Sequence, residues 1–187
     1  MTVLEVNSQS ETLGLYATLL EDLRVQNAKS LNAWTMLRYL GRPSFRAVFL
    51  YRISRSITHK GIVGKITSLI LMNINLMLHG CELWPHAIIG PGLFLPHPTG
   101  IEISFTHIGR NATIMQKTSF GVRHEAQKNT SPYSSRPVVG NNVFFAPGSV
   151  ALGSITIGDN AIIAAKTVVL HDVPAHTTMS GIPGRKL

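Results

Sequence analysis

Apolar residues return at every sixth position over two long stretches of this 187-residue chain. One stretch runs Ile89, Leu95 and Ile101, slips by one residue, and resumes at Ile108, Ile114 and Phe120. The other runs Val139, Phe145, Ala151, Ile157, Ile163 and Val169. A period of six matches neither the 3.6 residues of an α-helix nor simple hairpin alternation, although short strands fit within it because six is a multiple of two. It predicts a mainly-β chain built as a parallel β-helix of hexapeptide repeats. Each hexad forms one flat side of a triangular prism, its first residue points inward, and three sides close a coil of about 18 residues. A small residue follows many anchors, among them Gly90, Gly109, Gly121, Gly140, Ala146, Gly158 and Ala164.

Elsewhere the beat differs. Residues 1–12 are polar, carry Glu5 and Glu11, and do not have the basic-then-apolar order of an export signal, so they are expected to form a loose tail. Between residues 13 and 80 the apolar positions cluster at three and four spacing, as in Leu15, Leu19, Leu20 and Leu23, then Phe45, Val48, Phe49 and Ile53. That pattern predicts three or four short helices, with breaks at Gly41-Arg42-Pro43 and at Gly61 and Gly64. The apolar run 66–78 contains Asn73 and Asn75 and is shorter than the roughly 20 residues a membrane span takes. It is expected to pack on the prism or on another subunit, and it leaves room for a peripheral membrane contact. Residues 81–187 form the β-helix domain. Its beat stops over residues 121–138, rich in Ser, Asn, Gln and charge, which predicts a loop extruded from the prism. Such a loop either covers a binding site or is an idle excursion. Residues 171–187 should close the final coil.

Composition narrows the setting. A charged fraction of 14% beside 44% hydrophobic residues suits a prism that uses part of its outside for subunit contacts. The single cysteine, Cys81, excludes an intrachain disulfide and is read as a small buried side chain. The expected compartment is the cytoplasm. Net charge is +8, yet nine of the 17 basic residues are spread from Arg24 to Lys65 without a nucleic-acid motif. A solvated helix face explains them better than a nucleic-acid partner.

Among the eight histidines, His97 stands apart, two positions after an inward anchor in Leu95-Pro96-His97-Pro98-Thr99-Gly100. Pro98 biases His97 towards extended backbone and Pro96 fixes its own φ, so the imidazole is presented by a stiff segment, as a general base requires. Fifteen residues earlier lies Glu82. One rung away, its carboxylate is a candidate to accept the second imidazole N–H and stabilise the protonated ring.

Four further features join that hexad: Glu21-Asp22-Leu23-Arg24 ahead of the helices, the extruded loop, the hexads from Val139 to Val169, and the ending Val173-Pro174-Ala175-His176-Thr177-Thr178-Met179-Ser180-Gly181-Ile182-Pro183-Gly184-Arg185. Together they resemble the serine acetyltransferase family of left-handed β-helix acyltransferases, and most closely its shorter members that acetylate sugar hydroxyls in capsule or exopolysaccharide synthesis. The resemblance covers nearly all the chain after Leu20. It implies left-handed coils, against the usual right-handed crossover rule, and a homotrimer with active sites between neighbouring prisms, with the pairing of trimers left open. It implies acetyl-CoA as donor and no metal. The family's catalytic histidine falls on His97, and its partnering aspartate on Glu82. Amides at Gly121 and Val122 would lie near the thioester, with Ala165, Lys166 and Arg185 along the pantetheine and phosphates.

Departures bear on the acceptor. Pro96 stands where the family carries an aspartate, and Ser134-Ser135-Arg136-Pro137 stands where it carries Asp-Arg-His-Pro, so Arg136 replaces a substrate-binding histidine. No acidic match is found near Asn27. Two acidic groups that would meet the ammonium of serine are thus missing. The expected acceptor is a sugar or oligosaccharide hydroxyl, free or lipid-linked at the inner face of the membrane, with serine acetylation as the alternative. On this reading Arg136 binds a sugar hydroxyl or carboxylate, or sits on the surface, and His124 lines the acceptor entrance. Two other classes stay in view: a zinc enzyme using His97, His107 and His124, whose spacing is not a recognised ligand pattern, and a non-catalytic trimeric scaffold.

Overall fold

The computed structural model of the protein describes residues 13–122 and 135–187. The tail 1–12 and His124 lie outside these. Four helices come first: α1 (Leu15–Arg24), α2 (Ala33–Tyr39), α3 (Pro43–Ile57) and α4 (Gly61–His79). Their ends follow local chemistry. The Asn32 side chain caps α2 by accepting from Thr35 N–H at 2.9 Å. Proline opens α3. Gly80, at φ 61°, ends α4 in the left-handed conformation that a glycine adopts without penalty. Gly64 was expected to break the chain but lies inside α4, where a Cβ would come within 2.2 Å of the Ile57 carbonyl oxygen. Its bareness lets the first turn of α4 lie against the end of α3.

From Glu82 the chain becomes a prism of very short parallel strands on three faces. The first face stacks Glu82–Leu83, Glu102–Ile103, Ser119–Gly121, Val150–Leu152 and Val168–Val169. The second stacks Ile88–Ile89, His107–Ile108, Val138–Val139 and Thr156–Ile157. The third stacks Thr113–Ile114, Phe144–Phe145, Ile162–Ile163 and Thr178–Ser180, and is closed by the antiparallel Arg185–Lys186. All twelve hexad anchors point inward, each no more than 4% exposed. In the upper coils, paired residues are 18 apart, as in Val138 with Thr156 and Val150 with Val168. The slip between Ile101 and Ile108 shows as longer lower coils, with Ile88 beside His107 and Glu82 beside Glu102. Ser119 pairs with Val150, 31 residues on, so the excursion between Gly121 and Val138 adds 13 residues to a coil of 18.

The prism turns its corners through left-handed residues. Asn111, Asn142 and Asn160 (φ 55°, 55° and 58°) stack on one edge, and their side-chain amides bond in series at 3.1 and 3.2 Å. Asparagine tolerates this conformation better than other side chains, and here it also pairs with its neighbours above and below.

The helices have a core of their own, around Leu19, Leu23, Met36 and Phe45, whereas Ala47, Val48 and Tyr51 of α3 join the core of the prism. One buried ion pair joins the two layers. The Arg52 guanidinium meets Asp22 at 2.9 and 3.1 Å and also donates to the carbonyls of Ile89 (2.6 Å) and Gly90 (2.7 Å). Asp22 in turn accepts from the amides of Gly92 and Leu93 at 2.9 and 2.8 Å. Arg52 is therefore not part of a solvated basic face; it is 4% exposed.

Helix α4 departs from expectation as well. Its 19 residues make it, by length and composition, long and apolar enough to cross a membrane, and 22% of its apolar window is buried. Rather than lying along the prism of its own chain, it leaves Ile62, Val63 and Met77 more than 70% exposed. Cys81, which follows it, is fully buried, and burial pushes its thiol up to about 12.

Candidate active site

The hexad that carries His97 forms part of the edge between the third and first faces. Leu95 anchors it in the core, Pro98 is buried, Pro96 is half-buried, and the His97 imidazole is exposed. Below it is the end of α4: Gly100 N–H donates to the Gly80 carbonyl at 2.7 Å. Between this hexad, the last turn of α4 and the first turn of α3 opens a cleft of about 630 Å³, lined by Arg42, Ser44, His79, Pro96, His97 and Thr99 among others. Its volume is that of an ordinary small-molecule site.

Two imidazoles line the cleft, and only one is free to move a proton. His79 shares a 2.8 Å hydrogen bond with Asn75 through Nδ1 and accepts from Arg46 Nε through Nε2 at 3.0 Å. Burial first, and the Arg46 charge second, hold it below the ordinary histidine range. It is a fixed neutral wall. Nothing in the sequence marked it, since its partners lie four and 33 residues away. His97 makes no hydrogen bond within the described residues, so both of its ring nitrogens are open to a ligand.

Glu82 is placed differently from the simple dyad. Its Oε1 accepts from the Trp84 indole at 2.6 Å, and within the described residues no hydrogen bond links it to His97. The lowest coil is the reason. Glu82 pairs with Glu102, 20 residues on, so Glu82 falls past the Gly80 corner on the adjoining first face.

The residues expected along a donor divide between two places. Ala165 and Lys166 are exposed on the same edge as His97. That edge climbs by backbone bonds from Lys117 to Thr99 (3.0 Å), Gly148 to Gln116 (2.9 Å) and Lys166 to Pro147 (3.0 Å), three rungs in all. At about 4.8 Å per rung this is about 14 Å of continuous edge. Arg185 is exposed in the closing antiparallel pair beside Ser180. Gly121 and Val122 lie where the first face gives way to the excursion. Gly121 accepts from Gly153 N–H at 3.0 Å, and because the N–H and C=O of one strand residue face the same neighbour, its own amide is turned into the ladder. The Val122 amide, unbonded within the described residues, is the better placed of the two.

Arg136 donates to the Phe120 carbonyl at 3.0 Å and so ties together the two stems of the excursion. His107 is buried on the second face, 5% exposed, away from the edge that carries His97. No three His, Cys, Asp or Glu among the described residues are grouped so as to hold a metal ion.

Comparison with known proteins bears on the chemistry. Residues 136–171 match the bacterial transferase hexapeptide (six repeats) family. The serine acetyltransferase of Synechococcus elongatus is 32% identical over 177 residues, covering 91% of this chain and 68% of that protein. That of Bacillus subtilis is 31% identical over 151 residues, 80% of this chain and 65% of that protein. The chain thus spans about two thirds of the length of these curated relatives. Among solved structures, the soybean serine acetyltransferase apoenzyme superposes with a TM-score of 0.80 at 26% identity, covering 97% of this chain and 72% of that one. The Neisseria gonorrhoeae serine acetyltransferase in complex with serine gives 0.79 at 27%, covering 98% and 73%. The prism is accordingly a left-handed β-helix.

These findings overturn the expectation of a sugar hydroxyl as acceptor and of kinship with polysaccharide-modifying members: the relatives are serine acetyltransferases. That expectation rested on Pro96 and Arg136. Pro96 stiffens the His97 segment, and Arg136 is tied to the Phe120 carbonyl, so neither position by itself selects a sugar.

Proposed function

Because the chain belongs to the serine acetyltransferase family of acetyl-CoA-dependent acyltransferases, we propose that it transfers acetyl from acetyl-CoA to the hydroxyl of serine. The observation that carries the site is the contrast at the cleft: His97 is presented by a proline-stiffened edge with both ring nitrogens open, while His79 beside it is fully engaged.

On this reading the serine hydroxyl gives its proton to His97 as its oxygen attacks the thioester carbonyl. The carbon–sulfur bond of the tetrahedral intermediate then breaks, CoA leaves as the thiolate, and the imidazolium returns the proton to it. The Val122 amide faces the oxyanion, a contact worth about 3 kcal/mol in such sites. Glu82, held by Trp84, steadies the imidazolium through space rather than by a direct bond. Ala165, Lys166 and Arg185 support the pantetheine and phosphates of the donor. A trimer in which neighbouring prisms share these sites belongs to the same proposal. The outward-facing apolar pair Phe144 and Ile162, adjacent on the third face and 37% and 45% exposed, supports it.

The test is CoA thiol release from acetyl-CoA with free serine, using the native protein and His97→Ala. Turnover with serine that falls about 10²–10⁴-fold in the variant is expected for loss of a general base. No turnover with serine, or undiminished turnover in His97→Ala, overturns the reading.

A further inference from the structure

The cleft that holds His97 is electrostatically one-sided. Arg42 lines it, and no acidic residue does. The Arg42 guanidinium lies 4.3 Å over the Tyr39 ring, a contact that fixes its direction without neutralising it. It makes no ion pair within the described residues, in contrast to Arg52, which is spent on Asp22. Arg46, one turn further along α3, is spent on His79 and on the Leu40 carbonyl. Arg42 is therefore the guanidinium at this cleft whose charge is left uncompensated. It also occupies the N-cap position of the 15-residue α3, and Pro43 follows it. The next amide, Ser44, lines the same cleft and makes no backbone bond within the described residues.

We propose that Arg42 is the anchor for the acceptor's carboxylate, and so the residue that selects an amino acid over a neutral alcohol in this cleft. The inference rests on serine being the acceptor. Serine carries its carboxylate and its reacting hydroxyl on adjacent carbons, so a cation and a base lining the same small cleft can hold both at once. A guanidinium offers a carboxylate two parallel N–H donors, which fixes orientation as well as position. Such an anchor is needed here: at the position where resemblance places a substrate-contacting arginine this chain has Ser135, and Arg136 beside it is committed to Phe120.

The test compares KM for serine, for serinamide and for acetyl-CoA in the native protein, Arg42→Gln and Arg42→Lys, with thermal melting to verify that each variant is folded. Arg42→Gln is expected to raise KM for serine by about 10-fold or more, the scale of one charge-assisted hydrogen bond lost. KM for acetyl-CoA and the already weak use of serinamide, which lacks the carboxylate, should stay as in the native protein. Arg42→Lys should fall between, because it keeps the charge but not the fork. An unchanged serine KM in a folded Arg42→Gln, or equal losses on serine and serinamide, overturns the assignment. A rise confined to the acetyl-CoA KM also overturns it and gives Arg42 to the donor phosphates. If the native protein does not turn over serine at all, it is the acceptor reading that fails, and this inference with it.

Discussion

The prism and the helical layer are stabilised in opposite ways. In the prism each rung repeats the one below: an inward apolar anchor, a short parallel pairing, and a corner residue hydrogen-bonded to its neighbours. No single rung carries the fold. The helical layer has no such redundancy. Its own core is small, and its register on the prism is set by a single pair, Asp22 and Arg52, which together bind four backbone groups between Ile89 and Leu93. A repeat spreads its stability along its length, whereas a docked layer concentrates it at the joint. The cleft lies at that joint, since Arg42 and His79 belong to one layer and His97 to the other.

The largest effect should therefore come from the joint. Asp22→Ala leaves the Arg52 charge buried with carbonyl partners only and strips two prism amides of their acceptor. It is expected to cost about 3–5 kcal/mol, the usual consequence of breaking a buried pair from one side. Urea unfolding measures the total, and labelling of Cys81 locates the loss. That thiol is fully buried next to Gly80 and raised to about 12, so it should be inert in the native protein and reactive in the variant. A loss below 1 kcal/mol would mean that apolar contacts, not the ion pair, hold the layers together.

Changes within the prism should be milder. Asn142→Ala puts a Cβ-bearing residue without a side-chain amide at φ 55° and cuts the ladder between Asn111 and Asn160. It is expected to cost about 1–2 kcal/mol, most of it conformational. Asn142→Gly, which keeps the backbone comfortable, separates the two contributions. Ile163→Val, at a fully buried anchor, should cost about 0.5–1.5 kcal/mol. If either change were as damaging as Asp22→Ala, the contrast between spread and concentrated stability would fail.

What could be read from the sequence follows the same division. The hexad anchors were legible because a strictly repeated inward position leaves a period in the chain, and even the slip before Ile108 could be seen as an added residue. His97 was legible because two prolines flank it inside that period. The joint left no period. Asp22 and Arg52 are 30 residues apart and look like ordinary surface charges until α1 and α3 are laid together on residues 89–93. Arg42 and His79 likewise meet His97 only through tertiary packing. The departures at Pro96 and Arg136 were legible as letters but not as contacts, which is why the acceptor was misjudged.

The smallest effect expected is a pH dependence, and it tells the two imidazoles of the cleft apart. In the folded protein His79 is held below the ordinary histidine range, first by burial and second by the Arg46 charge. The unfolded chain takes up that proton near the ordinary value of about 6.5. Between the two values the unfolded state binds more protons, so stability is whole above about pH 6.5 and is lost as pH falls through the folded value. His86 and His107, also lowered chiefly by burial, act in the same direction. The urea midpoint should thus decline from pH 7.5 to pH 5.5, and His79→Gln should flatten the slope. His97→Gln should leave the slope as it is, because an exposed imidazole without a partner titrates much alike in both states, while abolishing turnover. If the two variants exchanged these behaviours, His79 would be the base and His97 the wall.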